Sequence, residues 1–146
     1  MEASAIFIKF LSACTTPVVM ISGFGLLLLT ITNRLGRTID RTRFLVAELD
    51  HDTVKRKKEK KHEIKVLYKR SRFLRNSIAW LLLGMIMSCL IIPLLFVMSF
   101  VKINLMSVGD AFFLISICAT FVSLVYFFRD ILLGLHAIKL EASEYI

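Results

Sequence analysis

Three long stretches without a single charge constrain the possible folds of this chain more than any other feature. They run from Ala13 to Ile31, from Ser77 to Val101 and from Ala111 to Phe128. An α-helix rises about 1.5 Å per residue, so roughly 20 apolar residues cross the ~30 Å hydrocarbon core of a bilayer. Each stretch reaches or approaches that length. We therefore predict an all-α integral membrane protein with three transmembrane helices, at residues 16–33, 77–101 and 111–128.

The basic residues between the first two stretches set the expected orientation. Of the nineteen Lys and Arg residues, fifteen lie between Asn33 and Asn76, whereas the loop at 102–110 holds only Lys102. Short loops rich in Lys and Arg remain in the cytoplasm. We expect an external N-terminus, a cytoplasmic segment at 34–76, an external loop at 102–110 and a cytoplasmic C-terminal helix at 129–146. A soluble domain with 57% hydrophobic residues would expose large apolar patches, which excludes that class.

Residues 1–15 leave two alternatives open. Thr16 followed by Pro17 is typical of an N-cap with proline at the first helical position. That pattern predicts a separate helix at residues 1–15, lying in the membrane interface. The alternative is one long helix that is kinked at Pro17.

Two apolar stripes predict that the basic segment folds back on itself. Both keep steps of three and four residues, the first through Leu35, Thr38, Thr42, Leu45 and Leu49, and the second through Ile64, Leu67, Ser71, Leu74, Ile78, Leu81 and Met85. This heptad-like spacing predicts an antiparallel coiled-coil helical hairpin with its apex at residues 50–55.

Counting outward from that apex predicts an ion pair. Positions whose numbers add to about 110 should face each other in such a hairpin. Asp40 should then lie close to Arg70 and Arg72. The alternative is a solvated surface pair that contributes only about 0 to 1 kcal/mol.

The predicted apex is followed by a run of basic residues, Lys55, Arg56, Lys57, Lys58, Lys60 and Lys61. Such a run is most often a solvated surface, and the alternative is binding to anionic lipid or to an acidic protein partner. The run has no interleaved aromatic residues and matches no known nucleic-acid-binding motif, so we expect no nucleic-acid partner.

A polar stripe along the first span is the strongest functional indication in the sequence. About one third of the helix circumference holds Ser12, Thr15, Thr16, Ser22, Gly23, Thr30, Asn33, Arg37 and Asp40. Polar residues seldom face lipid, so the stripe should pack on another helix or line a water-filled path. If it lines a path, Asn33, Arg34, Arg37 and Asp40 form the cytoplasmic mouth. Because three helices do not enclose a channel alone, we expect a homo-oligomer.

Small residues also align in the other spans. Gly84 and Ser88 are four residues apart in the second, and Ser116, Thr120 and Ser123 share a face of the third. Small residues let helix backbones approach closely, so we expect tight packing there. The segment after Arg129 is predicted to continue the third helix and to pack on the base of the hairpin.

Catalysis finds no support in the sequence. The histidines, His51, His62 and His136, are dispersed, and the cysteines, Cys14, Cys89 and Cys118, lie in or beside apolar stretches at no metal-ligand spacing. No intramembrane carboxylate, His or Cys pair suggests general acid and base chemistry. We expect neither an enzyme nor a protein with a metal ion or cofactor.

A longer pattern resembles a known family. It combines the run from Pro17 to Arg43, in which Asn33, Arg34, Leu35, Gly36 and Arg37 are followed by Asp40 and Arg41, with the later residues Arg70, Arg72, Leu74, Arg75 and Ile78. This pattern resembles an uncharacterised bacterial three-span family, the domain of unknown function 2721. The resemblance implies a bacterial inner-membrane protein and brings no assigned reaction.

Two functions of different classes are therefore compatible with the sequence. The first is a homo-oligomeric ion channel or pore lined by the first transmembrane helix. The second is a membrane-anchored scaffold that docks a partner on its basic hairpin. The second class includes an insertase-like factor, because one span, a basic cytoplasmic hairpin and two further spans are similar to the layout of membrane-protein insertases.

Overall fold

Three long helices account for almost all of the described residues, which are 2–49, 54–101 and 106–143. In this computed structural model α1 spans Glu2–Glu48, α2 spans Val54–Val101 and α3 spans Met106–Ser143. All three are long and apolar enough to cross a membrane. The all-helical class and the three membrane-spanning helices are confirmed, and the chain is a multi-pass membrane protein. The predicted hairpin apex lies mostly outside the described residues.

The helix boundaries differ from the predicted ones at two places. α1 runs through Pro17 without interruption, so of the two alternatives for residues 1–15 the structure has the single long helix. α3 begins at Met106, which makes the last residues of the predicted external loop helical. Toward its other end α3 continues past Phe128 to Ser143, as predicted for the C-terminal segment.

Buried residues recur every seven positions along each helix. On α1 they are Phe24, Ile31, Thr38 and Leu45; on α2 they are Leu67, Leu74, Leu81 and Ser88; and on α3 they are Ser116, Ser123 and Asp130. A seven-residue repeat keeps one seam of a helix facing its neighbours over many turns. The remaining members of the two stripes predicted on α1 and α2 are half-buried.

The chain divides into two compact units, each built from parts of the three helices. The first unit comprises Met1–Leu28 and Ala79–Val122, and the second comprises Leu29–Ile78 and Ser123–Ile146.

In the first unit, α2 and α3 approach each other closely at Gly84. The Ser116 hydroxyl donates to the Gly84 carbonyl oxygen at 2.8 Å. A Cβ at Gly84 would lie 3.0 Å from the Ser116 carbonyl oxygen and 3.0 Å from the Thr120 hydroxyl. The tight packing predicted from the small residues of both spans is therefore present at this position.

In the second unit, the same two helices are joined by a reciprocal pair of serines. The Ser77 hydroxyl donates to the Ser123 carbonyl oxygen at 2.8 Å, and the Ser123 hydroxyl donates to the Ser77 carbonyl oxygen at 2.8 Å. Both side chains are fully buried. This reciprocal pair joins the α2 and α3 backbones directly within the second unit.

α1 and α2 run antiparallel within the second unit. The Arg41 guanidinium pairs with Glu63 at 3.1 Å, and the Lys60 ammonium pairs with Glu48 at 2.7 Å. The residue numbers of these pairs add to 104 and 108, slightly below the predicted 110. The predicted fold-back direction is right, and the predicted offset is wrong by a few residues.

Large apolar side chains cover the outside of the helices. Leu26 on α1 and Phe121 on α3 are 69% and 68% exposed, and Ile86 on α2 is 55% exposed. Such a surface is unfavourable in water and suits contact with lipid tails.

Replacing Gly84 with alanine tests the close contact between α2 and α3. The added methyl group meets a backbone oxygen that cannot rotate away, so overpacking outweighs the gain in helix propensity. We expect Gly84→Ala to lower the free energy of unfolding by about 1 to 2 kcal/mol. Denaturant titration in detergent, followed by helical circular dichroism, measures this.

Gly36→Ala is the matched control, because nothing lies within 4 Å of a Cβ at Gly36. We expect it to be neutral or to stabilise the protein by up to about 1 kcal/mol. Equal destabilisation by both variants would contradict the close contact.

Candidate functional site

Among the residues whose burial the structure describes, one acidic residue of the second unit is fully buried. Asp130 on α3 has no exposed surface, although it follows the uncharged stretch that ends at Phe128 by only two residues. A carboxylate buried without partners is very costly, so it must be paired and hydrogen-bonded. Its partners define the site.

Two arginines from the other two helices hold the Asp130 carboxylate. Arg34 Nε of α1 donates to Oδ2 at 2.6 Å, and Arg70 Nε of α2 donates to Oδ1 at 3.0 Å. The two guanidinium groups are partly buried, with 29% and 19% of their side chains exposed. Each carboxylate oxygen therefore has its own charged donor, and one side chain joins all three helices. We call Arg34, Arg70 and Asp130 the charge triad.

The surroundings of the triad accommodate two large cations. The Arg34 guanidinium carbon lies 5.8 Å from the centre of the Phe127 ring, within the range of a cation–π contact. A Cβ at Gly134, one turn beyond Asp130, would lie 3.2 Å from Arg70 Nη2 and 3.6 Å from Arg34 Nη2. The absence of a side chain at Gly134 thus leaves room for both guanidinium groups.

The triad lies where each helix leaves its uncharged stretch. Arg34 is the first charged residue after the stretch that ends at Ile31, and Arg70 precedes the stretch that begins at Ser77 by seven positions. Asp130 follows its own stretch by two positions. In a bilayer this depth corresponds to the transition from hydrocarbon to head groups.

An open groove of about 250 Å³ adjoins the triad. Its lining consists of Arg34, Arg37, Thr38, Arg41, Leu67 and Arg70, contributed by α1 and α2. Four of these six residues are arginines. The Thr38 hydroxyl donates to the Arg34 carbonyl oxygen at 3.0 Å, so the polar chemistry of the groove comes from guanidinium groups.

The polar stripe predicted on α1 lies mostly on the outside of the chain. Ser22, Gly23, Thr30, Asn33, Arg37 and Asp40 are all exposed. The Ser22 hydroxyl donates to the Val18 carbonyl oxygen of its own helix at 3.1 Å, and a Cβ at Gly23 would meet nothing within 4 Å. Within the described chain, the stripe is thus not a packing surface for another helix.

Arg34 is the exception among the predicted stripe residues. Its side chain is held by Asp130 instead of facing outward with the rest of the stripe. The physical reason is the buried carboxylate, which needs a counter-charge and hydrogen-bond donors and receives one from Arg34.

The predicted ion pair from Asp40 to Arg70 and Arg72 is wrong. Arg70 pairs with Asp130, while Asp40 and Arg72 are exposed and form no ion pair among the described residues. Two causes account for the difference. The offset of α1 against α2 places Asp40 opposite residues before Arg70, and the buried carboxylate on α3 competes for the same guanidinium.

In the basic run near the apex, one lysine forms an ion pair and three other basic residues are exposed. Lys60 pairs with Glu48, whereas Arg56, Lys58 and Lys61 are exposed. Lys57 is half-exposed, and the side chain of Lys55 lies outside the described part of the chain.

Sequence reasoning missed Asp130 as a site residue, although a signal was present. Ser116 and Ser123 belong to the small-residue face predicted on α3, and Asp130 is the next residue in the same seven-residue series. Extending that face past the end of the uncharged stretch would have placed the carboxylate at the helix interface.

The chain belongs to a family described as protein of unknown function, DUF2721, whose family model matches residues 14–140. The match includes all three members of the charge triad and the whole groove. No curated protein and no solved structure matches the chain.

Replacing Asp130 with asparagine tests whether the triad holds the helices together. The variant keeps the shape of the side chain but leaves two partly buried guanidinium groups without a counter-charge. We expect the free energy of unfolding to fall by about 3 kcal/mol, the lower end for breaking a buried charge pair because both arginines keep some exposure. Denaturant titration in detergent measures this.

Asp110→Asn is the matched control, since Asp110 is an exposed aspartate on the same helix. We expect it to change the stability by less than about 1 kcal/mol. If Asp130→Asn were as mild as the control, the triad would not be a structural link.

Proposed function

We propose that the protein is a homo-oligomeric membrane channel in which copies of α1 line an ion path. The observation that carries this proposal is the exposed polar stripe of α1. Phe24, Ile31, Thr38 and Leu45 turn one face of α1 toward the chain's own interior, and the stripe occupies roughly the opposite face. In a membrane, that polar face needs either a second copy of the protein or water beside it.

The distribution of small residues supports self-association through α1. Gly84, Ser116, Ser77 and Ser123 are used in contacts between α2 and α3 inside the chain. On α1, a Cβ at Gly23 or Gly25 would meet nothing within 4 Å. Small residues at membrane-helix surfaces permit close approach of another helix. In our proposal, a neighbouring α1 fills the space beside Gly23.

An ion path lined by copies of α1 would contain an apolar constriction. Leu26 is four residues from both Ser22 and Thr30, so the three residues share one helix face. Leu26 is also strongly exposed, as a path-lining residue should be. A ring of leucines between two hydroxyl rings is a hydrophobic constriction, and such constrictions gate by losing water.

The proposed mouth combines opposite charges. Arg37 and Asp40 are one turn apart and both exposed, with Asn33 one turn before Arg37. Arg34 does not contribute, because the triad holds it. The mouth therefore carries equal numbers of positive and negative groups, which gives it no strong preference for either sign of ion. The proposal involves no catalytic step and no cofactor.

The proposal places the basic part of the chain in the cytoplasm of a bacterial cell, with the protein in the inner membrane. The fifteen basic residues between Asn33 and Asn76 support this orientation. A cysteine introduced at the exposed Lys58 should react with a membrane-impermeant thiol reagent only after the cytoplasmic side is opened. Labelling of intact cells would contradict the orientation.

Gly23→Leu tests the assembly without disturbing the single chain. Gly23 is exposed and a Cβ there meets nothing within 4 Å, so folding should be unchanged, but the leucine would block a neighbouring helix. We expect the mass of the nanodisc-embedded particle to fall to that of a smaller assembly while the helical content is retained. Ala79→Leu, a similar enlargement at an exposed position of α2, should leave the mass unchanged. A wild-type monomer would overturn the proposal.

Cysteine labelling and flux test the path itself. In a background without Cys14, Cys89 and Cys118, cysteines at Ser22 and Thr30 should react with a water-soluble thiol reagent. A cysteine at Ile86, an exposed position of α2, should resist because it faces lipid. Leu26→Ser should increase ion flux from proteoliposomes about tenfold or more, since it removes the apolar constriction. Equal inertness of all three cysteines, with no flux, would remove the channel proposal.

An exposed basic face on α2 favours a second candidate function, a scaffold that binds an acidic protein segment on its coiled-coil hairpin. Six basic residues follow one another at steps of three or four positions and are all exposed: Lys58, Lys61, Lys65, Lys69, Arg72 and Arg75. This spacing aligns them on one side of the helix. The complementary charge of an acidic segment is the chemistry that such a face would recognise.

Charge reversal distinguishes the second candidate from the first. With the protein in neutral-lipid nanodiscs, a poly-glutamate peptide is the probe. We expect the double variant Lys61→Glu and Lys65→Glu to weaken its binding at least tenfold and to leave particle mass and flux unchanged. Arg43→Glu, which reverses an exposed charge on α1, is the control. Equal weakening by the control would indicate unspecific attraction and count against the scaffold.

A further inference from the structure

The groove beside the charge triad has more positive charge than the protein neutralises. Its four arginines, Arg34, Arg37, Arg41 and Arg70, pair with two carboxylates among the described residues, those of Asp130 and Glu63. Two positive charges therefore remain. Arg37 is exposed and forms no ion pair among the described residues.

Guanidinium groups at this density are suited to a phosphate group. An arginine offers several N–H donors in a planar fork that matches phosphate oxygens. Arg34 and Arg70 present their Nε atoms to Asp130, which fixes the direction in which the rest of each guanidinium points. The triad thus orients two cations before any ligand arrives, and such preorganisation lowers the entropic cost of binding.

The groove also has an apolar component. Leu67 lines it and is buried, with 8% of its surface exposed. The groove volume of about 250 Å³ exceeds what an isolated phosphate needs and leaves room for the glycerol part of a larger ligand. An apolar wall beside a cluster of cations matches a molecule with a phosphate attached to an uncharged body.

The position of the groove narrows the choice of ligand. Arg34, Arg37 and Arg70 lie three, six and seven residues from the ends of the uncharged stretches of α1 and α2. At ~1.5 Å per residue this is about 5 to 10 Å along the helices, which brings this end of the groove to the depth of lipid head groups. Basic pockets between membrane helices at this depth bind anionic head groups. We propose that the groove formed by Arg34, Arg37, Arg41 and Arg70 binds the phosphate group of an anionic phospholipid. A soluble phosphate ester shares this chemistry, so the experiment must distinguish it from the lipid.

This inference does not depend on the channel. The groove is formed within one chain by α1 and α2, so a monomer would bind the lipid as well. It also differs from the basic run near the apex, because Arg37 and Arg70 lie far along the helices from Lys55 to Lys61.

Arg37→Gln is the decisive variant. It removes one guanidinium from the groove and leaves the charge triad intact, so the fold should be preserved. Arg43→Gln is the matched control, because Arg43 is an exposed arginine of the same helix that does not line the groove. Both variants lower the net charge of the protein by one, so non-specific attraction to anionic lipid changes equally.

The measurement is lipid retention by the full chain. Protein is reconstituted in nanodiscs of phosphatidylcholine with one fifth phosphatidylglycerol, extracted into a mild detergent and analysed by native mass spectrometry. We expect retained phosphatidylglycerol on the wild-type protein and on Arg43→Gln, with about tenfold less on Arg37→Gln, the size expected for losing one charge-assisted contact. Thermal unfolding of Arg37→Gln checks that the chain is folded.

Two further binding measurements distinguish a lipid head group from a soluble phosphate ester. Glycerol 3-phosphate and inorganic phosphate are added to lipid-depleted protein in detergent. Binding of these soluble anions that depends on Arg37, without selective lipid retention, would overturn the lipid assignment and leave a soluble phosphate ester as the ligand. No retention of either kind, or equal loss in Arg37→Gln and Arg43→Gln, would overturn the groove as an anion site.

Discussion

The Asp130 carboxylate is the point on which the second unit depends. It lies where three helices emerge from uncharged stretches, and it is fully buried, so it requires a counter-charge and a hydrogen-bond donor for each oxygen. Arg34 and Arg70 supply both from two different helices. Removing Asp130 leaves two partly buried guanidinium groups without their counter-charge, which is far more costly than losing an exposed pair such as Arg41 with Glu63. The triad therefore determines which helix faces meet as well as how firmly they are held.

The small residues of α2 and α3 make this arrangement possible. In the first unit Ser116 of α3 bonds to Gly84 of α2. In the second unit Ser123 of α3 bonds to Ser77 of α2, and Asp130 bonds to Arg70. Lipid tails are as apolar as leucine, so membrane helices gain little from burying apolar side chains against each other. Close backbone approach and hydrogen bonds between helices replace that driving force. Gly134 has the same effect at the triad, because the lack of a side chain there leaves space for two guanidinium groups.

Much of the architecture could be predicted because charge and hydropathy act locally. The three spans and the two apolar stripes follow from which residues avoid water. The offset between α1 and α2 is harder to predict, because it depends on how the two helices pack and neither stripe encodes that. The observed offset differs from the predicted one by a few residues, and this difference places Asp40 away from Arg70. The pairing of Arg34 is hard to predict for a related reason, because its partner lies 96 positions later in the chain.

The sequence by itself determined the class of protein, the number of spans and the small-residue faces, since each of these depends on the composition of a short segment. It also determined the seven-residue repeats, because their spacing is a property of single helices. Only the tertiary structure decided which cations neutralise Asp130, and only it placed four arginines around one groove. These are pairings between distant segments, and they depend on helix offset and rotation, which no single segment encodes.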